Sequence, residues 1–226
     1  MPKTHRVDKD VMEFCGWPRL MSIINQAHPG RDRTLVATLF LTGGRISEVL
    51  LLKKENFDLS HEDVIVVKSM PLVKRFQRVT KTKKWKCVSH CNKRWGEKPS
   101  SEEFRTHEIQ EYVGWATKPL KDYRTFPIVR KDPPVPILEE WLNRIPRKEL
   151  KLFSISRVQA FLIIRGLGEN LYPHWFRAQR ACQLAYEYDY DLHDLMDFFV
   201  WKDFKIAMHY SRLGWKGLAK KMGVKV

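Results

Sequence analysis

The stretch Pro173-His174-Trp175-Phe176-Arg177, read with Trp201 and Tyr210 beyond it, decides how this chain folds. Pro173 stands where a first-turn proline belongs, so the pattern predicts a helix from Pro173 through about Tyr188. Positions three apart share a helix face, so His174 and Arg177 point the same way from the first turn. Unpaired N–H groups and the helix dipole favour an anion there. Tyr210 lies 33 residues past Arg177 and nine past Trp201. Far upstream, Leu41-Thr42-Gly43-Gly44-Arg45-Ile46-Ser47-Glu48-Val49-Leu50 sets a second arginine just after a Gly-Gly turn. Two guanidinium forks, an imidazole, an indole N–H and a phenol are the groups that attack on a phosphodiester calls for.

The bulk numbers agree with a polyanionic partner. Of 226 residues, 41 are Lys or Arg and 26 are Asp or Glu, a formal charge of +15, which points to nucleic acid. Hydrophobic residues make up 43%, a globular rather than a disordered composition. No apolar run is long enough to span a bilayer, and Met1 to Asp10 lacks the apolar core of a signal peptide. Cys15, Cys87, Cys91 and Cys182 do not form a secreted disulfide framework in a chain of this length, so a reducing, cytoplasmic location is expected.

Working outward, residues 8–28 read as helical with an interruption at Pro18. Residues 31–41 read as a second helix that Gly43 and Gly44 break, with a short helix restarting near Arg45. Val64–Val67 and Thr125–Val129 read as short strands. Between them the chain is poorly periodic and strongly basic: Lys68 to Lys98 holds eleven Lys or Arg and one acid, Glu97. Residues 135–145 read as a helix after Pro133-Pro134. Ser154 or Ser156 caps another, whose apolar face is read as Val158, Phe161, Leu162 and Ile164. Asp191 and Asp203 cap two more, the second carrying Tyr210. The expected class is mainly α with a small β-sheet or hairpin, an α+β arrangement.

The two boxes together resemble the tyrosine recombinase (phage integrase) family. There a Thr-Gly-x-Arg-Ile-Ser-Glu-Leu box is followed by His-x-x-Arg, about two dozen residues later by a His or Trp, and nine residues after that by a nucleophilic Tyr. The resemblance covers about Arg31 to Arg212. It implies a mostly helical catalytic domain with a small sheet on one edge. Arg45 and Arg177 would clamp the phosphate oxygens and stabilise the pentacovalent transition state. His174 would donate to the same oxygens or help move the phenol proton. Trp201 stands where His is more usual; its N–H donates but accepts no proton. Tyr210 would attack phosphorus, giving a 3′-phosphotyrosyl link and a free 5′-hydroxyl. Glu48 would steady the first box. No cofactor and no metal are expected.

The family also uses a β-hairpin lysine that protonates the leaving 5′-oxygen. Lys118 or Lys121, just ahead of the second expected strand, best fits that place, with Lys68, at the end of the first, as runner-up. Lys68, Lys74, Arg75, Arg78, Lys81, Lys83, Lys84 and Lys86 are expected to neutralise DNA backbone phosphates. Cys87, His90, Cys91 and His107 are spaced irregularly for zinc, so free thiols are expected. The expected organisation is a single catalytic domain over 1–226 with a basic insert at about 68–122. Only 44 residues precede Arg45, too few for the helical DNA-clamping domain of the family. The resemblance implies double-stranded DNA as partner and a homotetramer on it, with Gly214–Val226 able to dock on a neighbour. A type IB topoisomerase, which uses a similar residue set, and a catalytically inactive DNA-binding module are the alternative readings.

Overall fold

The computed structural model of the chain describes residues 13–87, 105–211 and 222–223, with side chains for 13–73, 123–210 and 222–223. The chain divides into two compact units, one made of Met1–Val73 with Leu120–Val226, the other of Lys74–Pro119. The first carries the helices: α1 (Trp17–Gln26), α2 (Arg31–Thr42), α3 (Ile46–Val49), α4 (Val135–Arg144), α5 (Arg157–Arg165), α6 (Pro173–Glu187), α7 (Leu192–Phe199) and α8 (Phe204–Ser211). Strands β1 (Phe57–Asp58), β2 (Val64–Cys87) and β3 (Arg105–Val129) form a sheet in that order. Among the described residues no helix is long and apolar enough to cross a membrane.

Helix α2 is the axis of the first unit. Every residue from Thr34 to Thr42 is buried, and α2 packs against α1, α4, α5 and α6. A helix buried all round must satisfy its polar side chains internally. Thr38 and Thr42 do so by donating to the carbonyls of Thr34 and Thr38, each at 2.7 Å. Gly43 ends the helix in the left-handed region at φ 54°, and its N–H donates to the Phe40 carbonyl. A Cβ at Gly43 would run into the Phe199 ring, and one at Gly44 into Met70. The Gly-Gly pair thus lets the chain turn hard against two other elements.

Local chemistry explains most helix starts. Pro18 lies in the first turn of α1 and opens that helix instead of interrupting it. Ser156 Oγ accepts from Gln159 N at 3.1 Å at the start of α5. Asp191 accepts from Asp194 N, and Asp203 from Lys205 N, each at 2.9 Å, opening α7 and α8. Helix α7 ends at Val200, a β-branched residue held at φ 53°. Helix α5 departs from its sequence reading. Ala160 and Ile164 face the core while Val158, Phe161 and Leu162 are exposed. The inward face of α5 is narrow, and small Ala160 lets it approach α2 and α3.

The strands run far beyond their expected limits. Val64–Val67 is only the start of β2, which continues to Cys87, and β3 begins at Arg105, not at Thr125. Phe57 pairs with Val67 and Asp58 with Val66, antiparallel. At Ser69, φ 51° puts two exposed residues in a row and shifts the alternation so that Met70 and Leu72 turn inward. In β3, Arg124, Phe126 and Ile128 face the core while Tyr123, Thr125 and Pro127 face outward, the two-residue period of a half-buried strand.

Candidate active site

Arg45 follows the Gly43-Gly44 turn and precedes α3. Its Nη1 lies 2.7 Å from Glu48 Oε1, and its backbone N donates to Oε2 at 2.8 Å. Glu48 has no exposure at all, and its Oε1 also accepts from Val73 N at 3.4 Å. A fully buried carboxylate needs this many donors. Half of the Arg45 side chain stays exposed although Glu48 anchors its Nη1, so the guanidinium is fixed on one side and open to solvent on the other.

Arg177 is 1% exposed on the inner side of α6. Its Nη1 donates to the Gly43 carbonyl at 2.7 Å and its Nη2 to the Phe199 carbonyl at 3.3 Å. The guanidinium carbon sits 4.6 Å from the Phe199 ring centre and 5.4 Å from that of Trp201. Removal from water, then the Arg124 cation, lower its pKa to about 9, with Glu48 and Tyr210 opposing and Arg45 adding to the depression. His174, three residues earlier, is exposed. Partial loss of solvent around the ring, then Arg177 and Arg45, hold its pKa below the usual value, so the imidazole is neutral at pH 7.

Phe199, Trp201 and Tyr210 form one column. The Phe199 and Trp201 rings are stacked at 4.5 Å, and those of Trp201 and Tyr210 at 5.2 Å. Trp201 and Tyr210 are each 8% exposed. Burial raises the phenol pKa, the Arg177 cation pulls it down, and Cys182 and Tyr172 push it up. Of the five box residues, Arg177, Trp201 and Tyr210 thus pack together, while His174 lies exposed in the first turn of α6, near enough for Arg177 and Arg45 to act on its charge. The Gly43 carbonyl ties Arg177 to the turn that presents Arg45.

Lys68 stands apart from this cluster. Lys68 Nζ lies 2.6 Å from Asp58 Oδ2, and that contact holds the Asp58 carboxyl far below its usual range. Lys68 borders a cavity with Lys54, Phe57, Leu142 and Lys148, none of them in the two boxes. Lys118 and Lys121 are not ahead of a strand, as their sequence setting suggests, but inside β3. Their side chains lie outside the described residues, as do those of Lys74, Arg75, Arg78, Lys81, Lys83, Lys84 and Lys86. Cys87, His90, Cys91 and His107 also lie outside the described side chains, and so does most of Gly214–Val226.

Sequence reasoning passed over Arg124. It is 3% exposed, with Nη1 donating to the Phe198 carbonyl at 3.0 Å and Nη2 to the Thr42 carbonyl at 2.7 Å. The alternation of Arg124, Phe126 and Ile128 was the available signal, since a charge at an inward strand position asks for a reason.

Comparison with known proteins follows the same line. The model of the phage integrase family matches residues 11–214. In structure the chain is similar to XerA recombinase, with a TM-score of 0.57 at 14% identity, covering 99% of this chain and 66% of that one. It is also similar to XerH site-specific recombinase bound to difH substrate, with a TM-score of 0.52 at 15% identity, covering 89% and 50%. A third is the Tn1549 transposon integrase in complex with circular intermediate DNA, at 0.53 and 13%, covering 95% and 66%. The chain thus spans about half to two thirds of the length of these structures. No curated protein matches it in sequence. On the family match, which takes in both boxes and most of the chain, this protein belongs to the phage integrase family, the tyrosine recombinases.

Proposed function

We propose that the chain is a site-specific DNA recombinase or integrase that cuts and rejoins double-stranded DNA through Tyr210. The carrying observation is the packing of Arg177 against the Phe199–Trp201–Tyr210 column, with the phenol close enough to feel the arginine's charge. The Tyr210 oxygen bonds to phosphorus, the P–O5′ bond breaks, and a 3′-phosphotyrosyl link and a 5′-hydroxyl result. Arg45 and Arg177 take the charge that builds on the non-bridging oxygens. Neutral His174 is able to accept the phenol proton, and Trp201 supplies an N–H donor and a packing surface. Lys118 or Lys121 gives the leaving oxygen its proton. One phosphodiester replaces another of similar energy, so the step draws on no ATP, and the arginines supply the cationic role a metal would otherwise fill.

The basic residues of β2, Lys74, Arg75, Arg78, Lys81, Lys83, Lys84 and Lys86, hold the DNA backbone, which makes binding strongly dependent on salt. A homotetramer on two duplexes completes the reading, in the cytoplasm. The test is a pool of nicked duplexes of randomised sequence incubated with the chain, with protein-linked DNA sought on a denaturing gel and sequenced. Adducts enriched in one sequence support the reading. Their absence from the wild-type chain overturns it.

A further inference from the structure

Two arginines bridge the same two segments. Arg177 holds the carbonyls of Gly43 and Phe199. Arg124 holds those of Thr42 and Phe198, the residues immediately before each. One segment is the turn that presents Arg45. The other is the end of α7, which presents Trp201 and, through the ring stack, Tyr210.

Arg124 is an expensive way to fill this space. Its guanidinium carbon sits 4.5 Å from the Phe126 ring centre, with Phe198 and Phe199 within 6 Å. Among the described residues its polar partners are two carbonyls and the Met70 sulfur at 3.2 Å, and its buried Nε has no acceptor. Glu48, whose oxygens are bonded to Arg45 and Val73, attracts this cation only through space, and the loss of solvent outweighs that attraction. An apolar side chain would pack against those rings without that cost. What an apolar side chain cannot do is draw two carbonyls from different elements to one planar fork.

We propose that Arg124 is a positioning residue for the candidate site: with Arg177, it sets the spacing between the Thr42–Gly43 turn and the Phe198–Phe199 end of α7, and so between Arg45 and the Trp201–Tyr210 pair. Arg124 does not itself face the reacting atoms. The inference rests on the transesterification reading given above. A misplacement of about 1 Å at a reacting centre is enough to slow a step on the order of 100-fold. Arg124→Lys keeps the charge but cannot bridge both carbonyls in the same geometry.

The test uses the duplex captured by the wild-type chain, with single-turnover adduct formation and DNA affinity measured side by side. Arg124→Lys is expected to lower the cleavage rate by roughly 10- to 100-fold while its affinity for the duplex stays within about threefold. In Arg124→Ala, added methylguanidinium below denaturing concentration is expected to restore part of the rate. A protein that was merely destabilised would lose more activity in that salt. Wild-type cleavage per bound complex in Arg124→Lys, or a folded Arg124→Ala that methylguanidinium does not rescue, overturns the inference alone. Failure of the wild-type chain to form any adduct overturns the transesterification reading and takes this inference with it. If Arg124→Lys does not fold, the rescue experiment decides.

Discussion

The Trp201 and Tyr210 rings stack with centroids 5.2 Å apart and planes 21° from parallel. A candidate nucleophile is thereby held by its ring face.

Removing only that oxygen separates packing from chemistry. Tyr210→Phe keeps the stack and is expected to change stability by no more than about 1 kcal/mol. Covalent protein–DNA adducts should disappear, while duplex binding in a gel-shift assay stays within a few-fold of wild type. Adducts formed by the Phe variant would remove Tyr210 from its role.

Trp201 lies between Phe199 and Tyr210, so its loss opens the column on both sides. Trp201→Ala is expected to cost about 3–5 kcal/mol of stability, the usual range for emptying a large buried aromatic site. Urea unfolding measures it. Trp201→Phe should recover much of the stability but not the N–H, so a cleavage rate that stays low in the refolded Phe variant would locate the indole's contribution in the hydrogen bond.

Gly43 sits at φ 54°, and its missing Cβ makes room for the Phe199 ring. Gly43→Ala combines an unfavourable backbone conformation with a collision against an element end, and should destabilise the chain by roughly 1–3 kcal/mol. Because the Gly43 carbonyl is one of the Arg177 acceptors, cleavage should fall further than the loss of folded protein explains. Thermal unfolding and adduct yield per folded molecule give the two numbers.

The depressed pKa of His174 makes a pH prediction with a definite sign. A base that binds its proton less readily when folded leaves the unfolded chain holding more protons just below the ordinary histidine pKa. Stability from this group is therefore present at pH 7 and lost as pH falls through the ordinary value toward the lower folded one. His174→Asn should flatten that part of the stability curve relative to wild type, as read from urea midpoints between pH 7 and pH 5. An unchanged difference between the two proteins across that window contradicts the assignment.

How much of this was legible in the sequence depends on how local each signal is. Caps are local, and Asp191, Asp203, Ser156 and Pro173 stand where their helices begin. The two boxes were readable because their spacing carries the information. The lengths of β2 and β3 were not readable. A strand is recognised by apolar alternation, and Lys74 to Lys86 replaces that alternation with basic residues. The outward face of α5 was misread because Val158, Phe161 and Leu162 make a better apolar stripe than the Ala160–Ile164 pair that is actually buried. Arg124 escaped notice because a charged residue in a short strand reads as surface until its neighbours Phe126 and Ile128 fix which side is in.

Val200 is the one β-branched residue among the described positions with positive φ, at 53°, directly between Phe199 and Trp201. Valine resists that conformation by about 1–2 kcal/mol relative to glycine, which adopts it freely. The kink that aims the indole is therefore imposed by its tertiary surroundings against the local preference of the chain. A glycine there would keep the bend while relieving its strain, at the cost of a hinge beside the aromatic column. Selection for robustness and selection for aim would pull this single position in opposite directions.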